Sequence, residues 1–180
     1  MKADPDGELV ARAGQGDRAA AQLLVHRHLP KMLSLARRML GNSAAAEDAT
    51  QDAFLKLWLH APRWRPGAAR FETWLYRVTL NQCYDRLRKR KTAGLEEADS
   101  VADVAPDPEA QSQSAGIAQH VQAALTLLPE RQRAAILLCH FDGCGNIEAA
   151  ETLGVSVEAL ESLLARGRRT LKEKLGHLKD

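Results

Sequence analysis

An all-α protein, built as two small helical domains joined by a flexible acidic linker, is what this sequence predicts, and three observations carry that expectation. Apolar residues recur at three- and four-residue steps along nearly every periodic segment, with no strand-like alternation of β-branched residues. Between residues 92 and 118 the periodicity stops, large apolar residues thin out, and Pro106, Pro108 and the run Gln111-Ser112-Gln113-Ser114 appear. Charge divides at the same borders. Residues 1–91 carry 17 Lys/Arg against 9 Asp/Glu, residues 92–118 none against 6, and residues 119–180 carry 8 against 8, so a formal net charge of +2 conceals blocks of +8, −6 and 0. A chain of 180 residues with 45% hydrophobic content can build two modest cores, and with aromatics at 4% they must be mostly Leu, Ala and Val.

Taken in order, a short helix is expected over 7–13, ended by Gly14-Gln15-Gly16. A longer one follows over 17–40, kinked or interrupted at Pro30, which lacks the N–H of an interior helical bond. Gly41 is its C-terminal cap. Ser43 is placed to cap the next helix, whose early Glu47 and Asp48 suit the positive end of a helix dipole, and which should reach His60 before Pro62. Two prolines and a glycine make 61–69 a loop. A helix over 70–91 completes the first domain, 1–91; the linker is 92–118. The second domain, 119–180, reads with the end of the linker as four helices over 117–126, 129–140, 146–153 and 157–176.

Helical spacing then sorts faces. From Ser43 onward, Ala46, Thr50, Ala53, Phe54, Leu57 and Trp58 share a core face, leaving Asp48, Gln51, Asp52 and Leu55 on another. By spacing alone the second set is a solvated face with helix-start acids. In the 70–91 helix, Arg70, Thr73, Arg77, Asn81, Tyr84, Arg88 and Lys91 form a continuous stripe able to track a phosphate backbone. Its arginines suit phosphate, while Asn81 and Tyr84 suit hydrogen bonding to, or stacking on, the bases of a single strand. Phe71, Trp74, Leu75 and Val78 lie opposite and read as core. Trp64, between Arg63 and Arg65, reads equally as a buried loop anchor or as a base-stacking residue. Over 146–163 the pattern is a helix-turn-helix: Gly154 makes the turn, Ser156 caps the second helix, and Ala150, Val155 and Leu160 pin the pair.

Several classes of function fall away. Cys83, Cys139 and Cys144 show no CxxC spacing, which argues for a reducing compartment and against a disulfide framework. Cys139, His140 and Cys144 lack a fourth ligand and zinc-like spacing, so no metal and no cofactor is expected. No phosphate loop and no nucleophile with its base is evident, so the chain is not expected to be an enzyme. With no apolar run of membrane-spanning length and no signal-peptide core at the N-terminus, a cytoplasmic protein without direct membrane insertion is expected.

Three blocks resemble the extracytoplasmic-function (ECF) sigma factors of the sigma-70 family. The first is Ala45-Ala46-Glu47-Asp48-Ala49-Thr50-Gln51-Asp52-Ala53-Phe54-Leu55-Lys56-Leu57-Trp58, similar to the family's D-A-E-D-x-x-Q-[ED]-x-F-x-x-x-W and departing only at its first acid. By that resemblance Asp48, Gln51, Asp52 and Leu55 contact core RNA polymerase at its β′ clamp helices, with the β subunit also a partner. The second runs from Arg65 through Phe71-Glu72-Thr73-Trp74-Leu75-Tyr76-Arg77 to Asn81. It is similar to the sequence that melts promoter DNA in that family, where the loop pockets a base flipped from the minus-ten element. The resemblance implies that Trp64, Arg65, Arg70, Arg77, Asn81, Tyr84, Arg88 and Lys91 bind there. The third comprises Leu125-Thr126-Leu127-Leu128-Pro129-Glu130-Arg131, the helix-turn-helix and Ala165-Arg166-Gly167-Arg168-Arg169; it is similar to the domain that reads the minus-thirty-five element.

There the implied contacts are Ser156, Glu158, Glu161, Ser162, Arg166, Arg168 and Arg169, from a recognition helix whose N-terminal residues enter the major groove. This block departs from the family at Gly145-Asn146, usually a hydroxyl-aromatic pair, and at Glu161 and Leu163, usually lysine and arginine. Two lost cations weaken a phosphate grip, and Glu161 reads either as a partner for cytosine N4 or as a merely exposed acid. The resemblance further implies an anti-sigma factor, often membrane-bound, as regulator. By it the linker threads toward the polymerase active site and RNA exit; by composition it is a plain tether. A sigma-like decoy for an anti-sigma factor and a helix-turn-helix repressor are the rival readings.

Overall fold

The computed structural model describes residues 4–94 and 113–176, and every regular element among them is helical. The first domain comprises α1 (Gly7–Gly14), α2 (Arg18–Leu40), α3 (Ser43–His60), a 3-10 turn (Ala61–Arg63) and α4 (Phe71–Thr92). The second comprises α5 (Gln113–Thr126), α6 (Glu130–Ile136), a π turn (Leu137–Phe141), α7 (Asn146–Leu153) and α8 (Val157–Leu175).

Short polar side chains start these helices by accepting their unpaired first-turn N–H groups. Asp17 takes Ala20 N at 3.1 Å, Asn42 takes Ala45 N at 2.8 Å and Ser156 takes Ala159 N at 3.1 Å. The cap of α3 is therefore Asn42 and not Ser43, which is already the first helical residue. Pro30 does not interrupt α2. Pro30 and His26, whose carbonyl loses its helical donor, are both exposed, so water can serve that carbonyl. At its C-terminus α7 stops on Gly154 at φ 64°, a left-handed conformation that a side chain would strain; this sharp turn lets α8 cross back.

The core is aliphatic, as composition requires. Leu24, Met32, Leu35, Met39, Leu57, Phe71, Leu75 and Leu80 are sealed in the first domain, and Leu125, Ile136, Leu137, Leu160 and Leu164 in the second. Fully buried Ala46, Ala49 and Ala53 along α3 let α2 and α4 approach its backbone. Cutting Leu57 to Ala would cost about 2–5 kcal/mol.

The two domains share one hydrophobic cluster. At their seam Arg133, 5% exposed, donates to the carbonyls of Met39 at the end of α2, Thr126 at the end of α5, and Leu128. One guanidinium thus serves two helix C-termini that lack internal partners. Gln122 Nε2 donates to Arg38 O at 3.2 Å, and the Arg38 guanidinium stacks 4.7 Å from the Phe141 ring centre. Docking on α2 explains why α5 begins at Gln113, inside the expected linker: polar residues without apolar periodicity are helical there as the first turns of a packed helix. The rest of the expected linker, 95–112, lies outside the described residues.

Candidate nucleic-acid interface

On α3, Asp48, Gln51 and Leu55 are exposed as their spacing predicts. Asp52 is half-buried, and its Oδ2 accepts from Arg86 Nη2 at 2.6 Å, so one carboxylate oxygen is already engaged within the domain. Beside them runs an apolar groove of about 390 Å³ between α2 and α3, walled by Val25, Leu29 and Leu33 on one side and Phe54, Leu55 and Trp58 on the other. Its α2 wall is absent from the sequence reading. The available signal was the apolar excess of α2 beyond one core face, seen in Leu23 and Leu29, 44% and 37% exposed.

The loop before α4 is pinned by an aromatic cluster. Trp64 stands edge-on to Phe71 and Trp74 with centroids 5.8 and 5.9 Å away, and His60 stacks on Trp74 at 5.1 Å. The Trp64 indole N–H is buried, which is the arrangement of a loop anchor. Arg65 and residues 66–69 project into solvent beyond it.

Along α4 the expected stripe is only partly an exposed surface. Thr73 is 6% exposed with its hydroxyl buried, because the helix turns that position into the bundle. Asn81 is exposed. The Tyr84 hydroxyl is buried, and burial pushes its pKa up to about 12. The cations are engaged by carboxylates and carbonyls. Arg70 pairs with Glu148 at 2.8 Å, Arg77 Nη2 donates to Glu151 O at 2.5 Å, and Lys91 pairs with Glu130 at 2.8 Å, while Arg88 pairs with Asp85 on its own helix. Glu130, Glu148 and Glu151 all belong to the second domain, whose α7 lies against α4. Between Arg77, Asn81 and Tyr84 on one side and Arg131, Leu153 and Gly154 on the other is a pocket of about 550 Å³. A carboxylate and a C-terminal helix carbonyl here occupy the places on Arg70 and Arg77 that phosphate oxygens would take.

The second helix of the helix-turn-helix behaves differently. Ser156, Glu158, Glu161, Ser162, Arg166, Arg168 and Arg169 are all exposed. Glu158 is held below the usual carboxylate range, chiefly by its own backbone N–H at the start of α8 and then by Ser156. At Gly167 its inner face has no side chain: a Cβ there would come within 3.0 Å of Ile136 Cγ1, so α8 lies close on α6 with its arginines turned outward. Leu163 is half-buried, so it adds to packing at a position where the resemblance led to an arginine. Among the described residues no group of three or more His, Cys, Asp or Glu is placed to hold a metal ion, and no helix is long and apolar enough to cross a membrane.

Residues 24–93 match the family Sigma-70 region 2, and residues 118–171 match Sigma-70, region 4. The ECF RNA polymerase sigma factor SigM of Mycobacterium tuberculosis (strain ATCC 25618 / H37Rv) is 39% identical over 96% of this chain and 86% of its own length. Among solved structures, CnrH in complex with the cytosolic domain of CnrY is 27% identical with a TM-score of 0.73, covering 96% of this chain and 97% of that one. The sigma factor RpoE in complex with the anti-sigma factor NepR from Bartonella quintana is 25% identical with a TM-score of 0.72, over 86% of this chain and 96% of that one. Two helical units that match the two sigma-70 regions in order, together with a relative 39% identical over 96% of the chain, place it in a family: it belongs to the ECF sigma factors of the sigma-70 family.

Proposed function

We propose that this chain binds core RNA polymerase, recognises and melts promoter DNA, and is held in check by an anti-sigma factor. The observation that carries the reading is the presence, in one small bundle, of an acid-rimmed apolar groove on α3 and a cation-rich helix α4. The first suits a protein surface that is apolar with basic margins; the second suits a polyanion. Asp48, Gln51 and Leu55 make the polymerase contact, Asp52 contributing its oxygen not held by Arg86. Arg65, Arg70, Arg77, Asn81, Tyr84, Arg88 and Lys91 hold the separated minus-ten strand, with Trp64 anchoring the loop rather than stacking on a base. The exposed face of α8 reads the minus-thirty-five duplex. The work is binding throughout, and promoter opening draws on binding energy alone.

In the arrangement of this structure Arg70 and Arg77 are occupied by the second domain, so strand capture follows the departure of α7 from α4. The similar structures named above hold a sigma factor together with another protein, in one case an anti-sigma factor, and this supports a regulator of that kind here. Run-off transcription with purified sigma-free polymerase tests the proposal: specific transcripts appear only when the chain is added. Replacing Asp48 and Asp52 together by Ala is expected to weaken core-enzyme affinity about tenfold, with the melting temperature lowered by no more than about 2–4 °C, the loss of the Asp52–Arg86 pair. Unchanged affinity in a titration would remove the α3 assignment.

A further inference from the structure

The start of α4 carries an unusual cap. Its N-cap residue Arg70 makes no side-chain bond to the first turn, yet the Phe71 N–H is not left open: Asp4, 67 residues away, accepts it with Oδ2 at 3.0 Å. The other oxygen of that carboxylate accepts the Asp6 N–H at 3.3 Å, so Asp4 ties the entry of α1 to the entry of α4. Asp6 in turn takes Arg27 Nη1 at 2.5 Å and His28 Nε2 at 2.8 Å, and the His28 ring stands edge-on to Phe71 at 5.1 Å. Asp4 thus holds the Phe71 backbone directly, and Asp6 holds the His28 ring that packs on Phe71.

Two glycines allow this closeness. A Cβ on Gly7 would lie 2.8 Å from Asp4 Oδ2 and 3.6 Å from Trp64 Nε1, and one on Gly14 would reach within 2.3 Å of the Ala61 carbonyl oxygen. Thus α1 presses on the loop at both ends: on Ala61 where it leaves α3, and beside Trp64 and Phe71 where it enters α4. A carboxylate at a helix N-terminus also opposes the positive end of the helix dipole. Resting on the function proposed above, we propose that Asp4 is a positioning residue for promoter opening: it fixes the first turn of α4, and so the placement of Arg70 and of loop 65–69 against the unpaired strand.

The test compares Asp4→Ala, Asp4→Asn and Gly7→Ala in the full chain. Exchange of the Phe71 amide, followed by NMR, is expected to speed up in Asp4→Ala and in Gly7→Ala, and to stay near wild type in Asp4→Asn, whose amide oxygen accepts the same bond. With core polymerase, Asp4→Ala should lower the rate of minus-ten opening, read by 2-aminopurine fluorescence, about fivefold, the worth of a typical cap. Asp4→Asn should restore opening; minus-thirty-five duplex affinity should stay near wild type in both, and the melting temperature should fall by no more than about 2–4 °C in Asp4→Ala, the loss of one cap. Opening by Asp4→Ala at the wild-type rate, or an Asp4→Asn chain as impaired as Asp4→Ala, overturns the inference alone. A wild-type chain that opens no promoter removes the functional reading and this inference with it.

Discussion

Helices α4 and α8 are both long, both rich in Lys and Arg, and both lie largely within the segments that match the two sigma-70 regions, yet the molecule treats them oppositely. On α8 the outward residues from Ser156 to Arg169 meet solvent. On α4, Arg70, Arg77 and Lys91 meet Glu148, the Glu151 carbonyl and Glu130, and Tyr84 turns its hydroxyl into the interface. The difference lies in neighbours rather than in the helices. The first helix of the helix-turn-helix, α7, packs on α4, while α8 packs on α6 through its inner face and leaves its basic side open. A cationic stripe is therefore a capacity to bind anions, and which anion it holds depends on what the fold brings alongside. In this structure the basic side of α8 is open to solvent and that of α4 is covered.

That contrast can be broken at its support. Arg133→Ala removes bonds to three carbonyls at the seam and should have the largest effect, lowering the melting temperature by roughly 5–10 °C in calorimetry. An unchanged melting temperature would show that the seam contributes little to holding the domains together. Asn81→Ala should slow promoter opening about tenfold, as expected for one hydrogen bond made only in the open complex, with duplex binding unchanged. Equal permanganate reactivity in mutant and wild type counts against a strand-holding α4.

Glu148→Ala sharpens the comparison, since it releases Arg70 without touching α8. The affinity of the isolated chain for a single-stranded minus-ten oligonucleotide should rise about fivefold or less, the limit for a partly exposed pair, while affinity for the minus-thirty-five duplex stays the same. No gain would place the cover of α4 in its other contacts. The smallest effect is expected at α8, where Arg169→Ala should cost about threefold in duplex affinity and reduce the salt slope by about one. A slope equal to that of wild type would mean that Arg169 does not reach phosphate.

Much was legible in advance because it is local. The breaks at Gly14–Gly16, Gly41, Pro62 and Gly154, the caps by short polar residues, and the core face of Ala46, Ala53, Phe54 and Leu57 follow from dihedral preferences and from side chains three or four residues apart. The cap of α3 lies one residue before the expected Ser43, since Asn42 and Ser43 offer the same chemistry and only backbone geometry separates them. At Pro30 the sequence points to a kink or an interruption, and α2 is not interrupted: a lost bond is visible in sequence and the exposure that tolerates it is not. The first turns of α5 were hidden because Gln113-Ser114-Ala115-Gly116 has no helical signature apart from the helix it begins.

Periodicity along one helix states which side chains share a face and is silent about what lies opposite. That Thr73 points inward, that Asp52 is tied to Arg86, that Asp4 caps a helix 67 residues on, and that the Glu148 carboxylate and the Glu151 carbonyl of α7 hold Arg70 and Arg77 are all contacts between distant segments. The residues and spacings of the chain were enough to establish its helices, its charged faces and its likeness to a family. The assignment of those faces to solvent or to one another came only with tertiary packing, because a hydrogen bond within a helix has its partner four residues away, whereas a salt bridge across domains finds its partner only once the chain has folded.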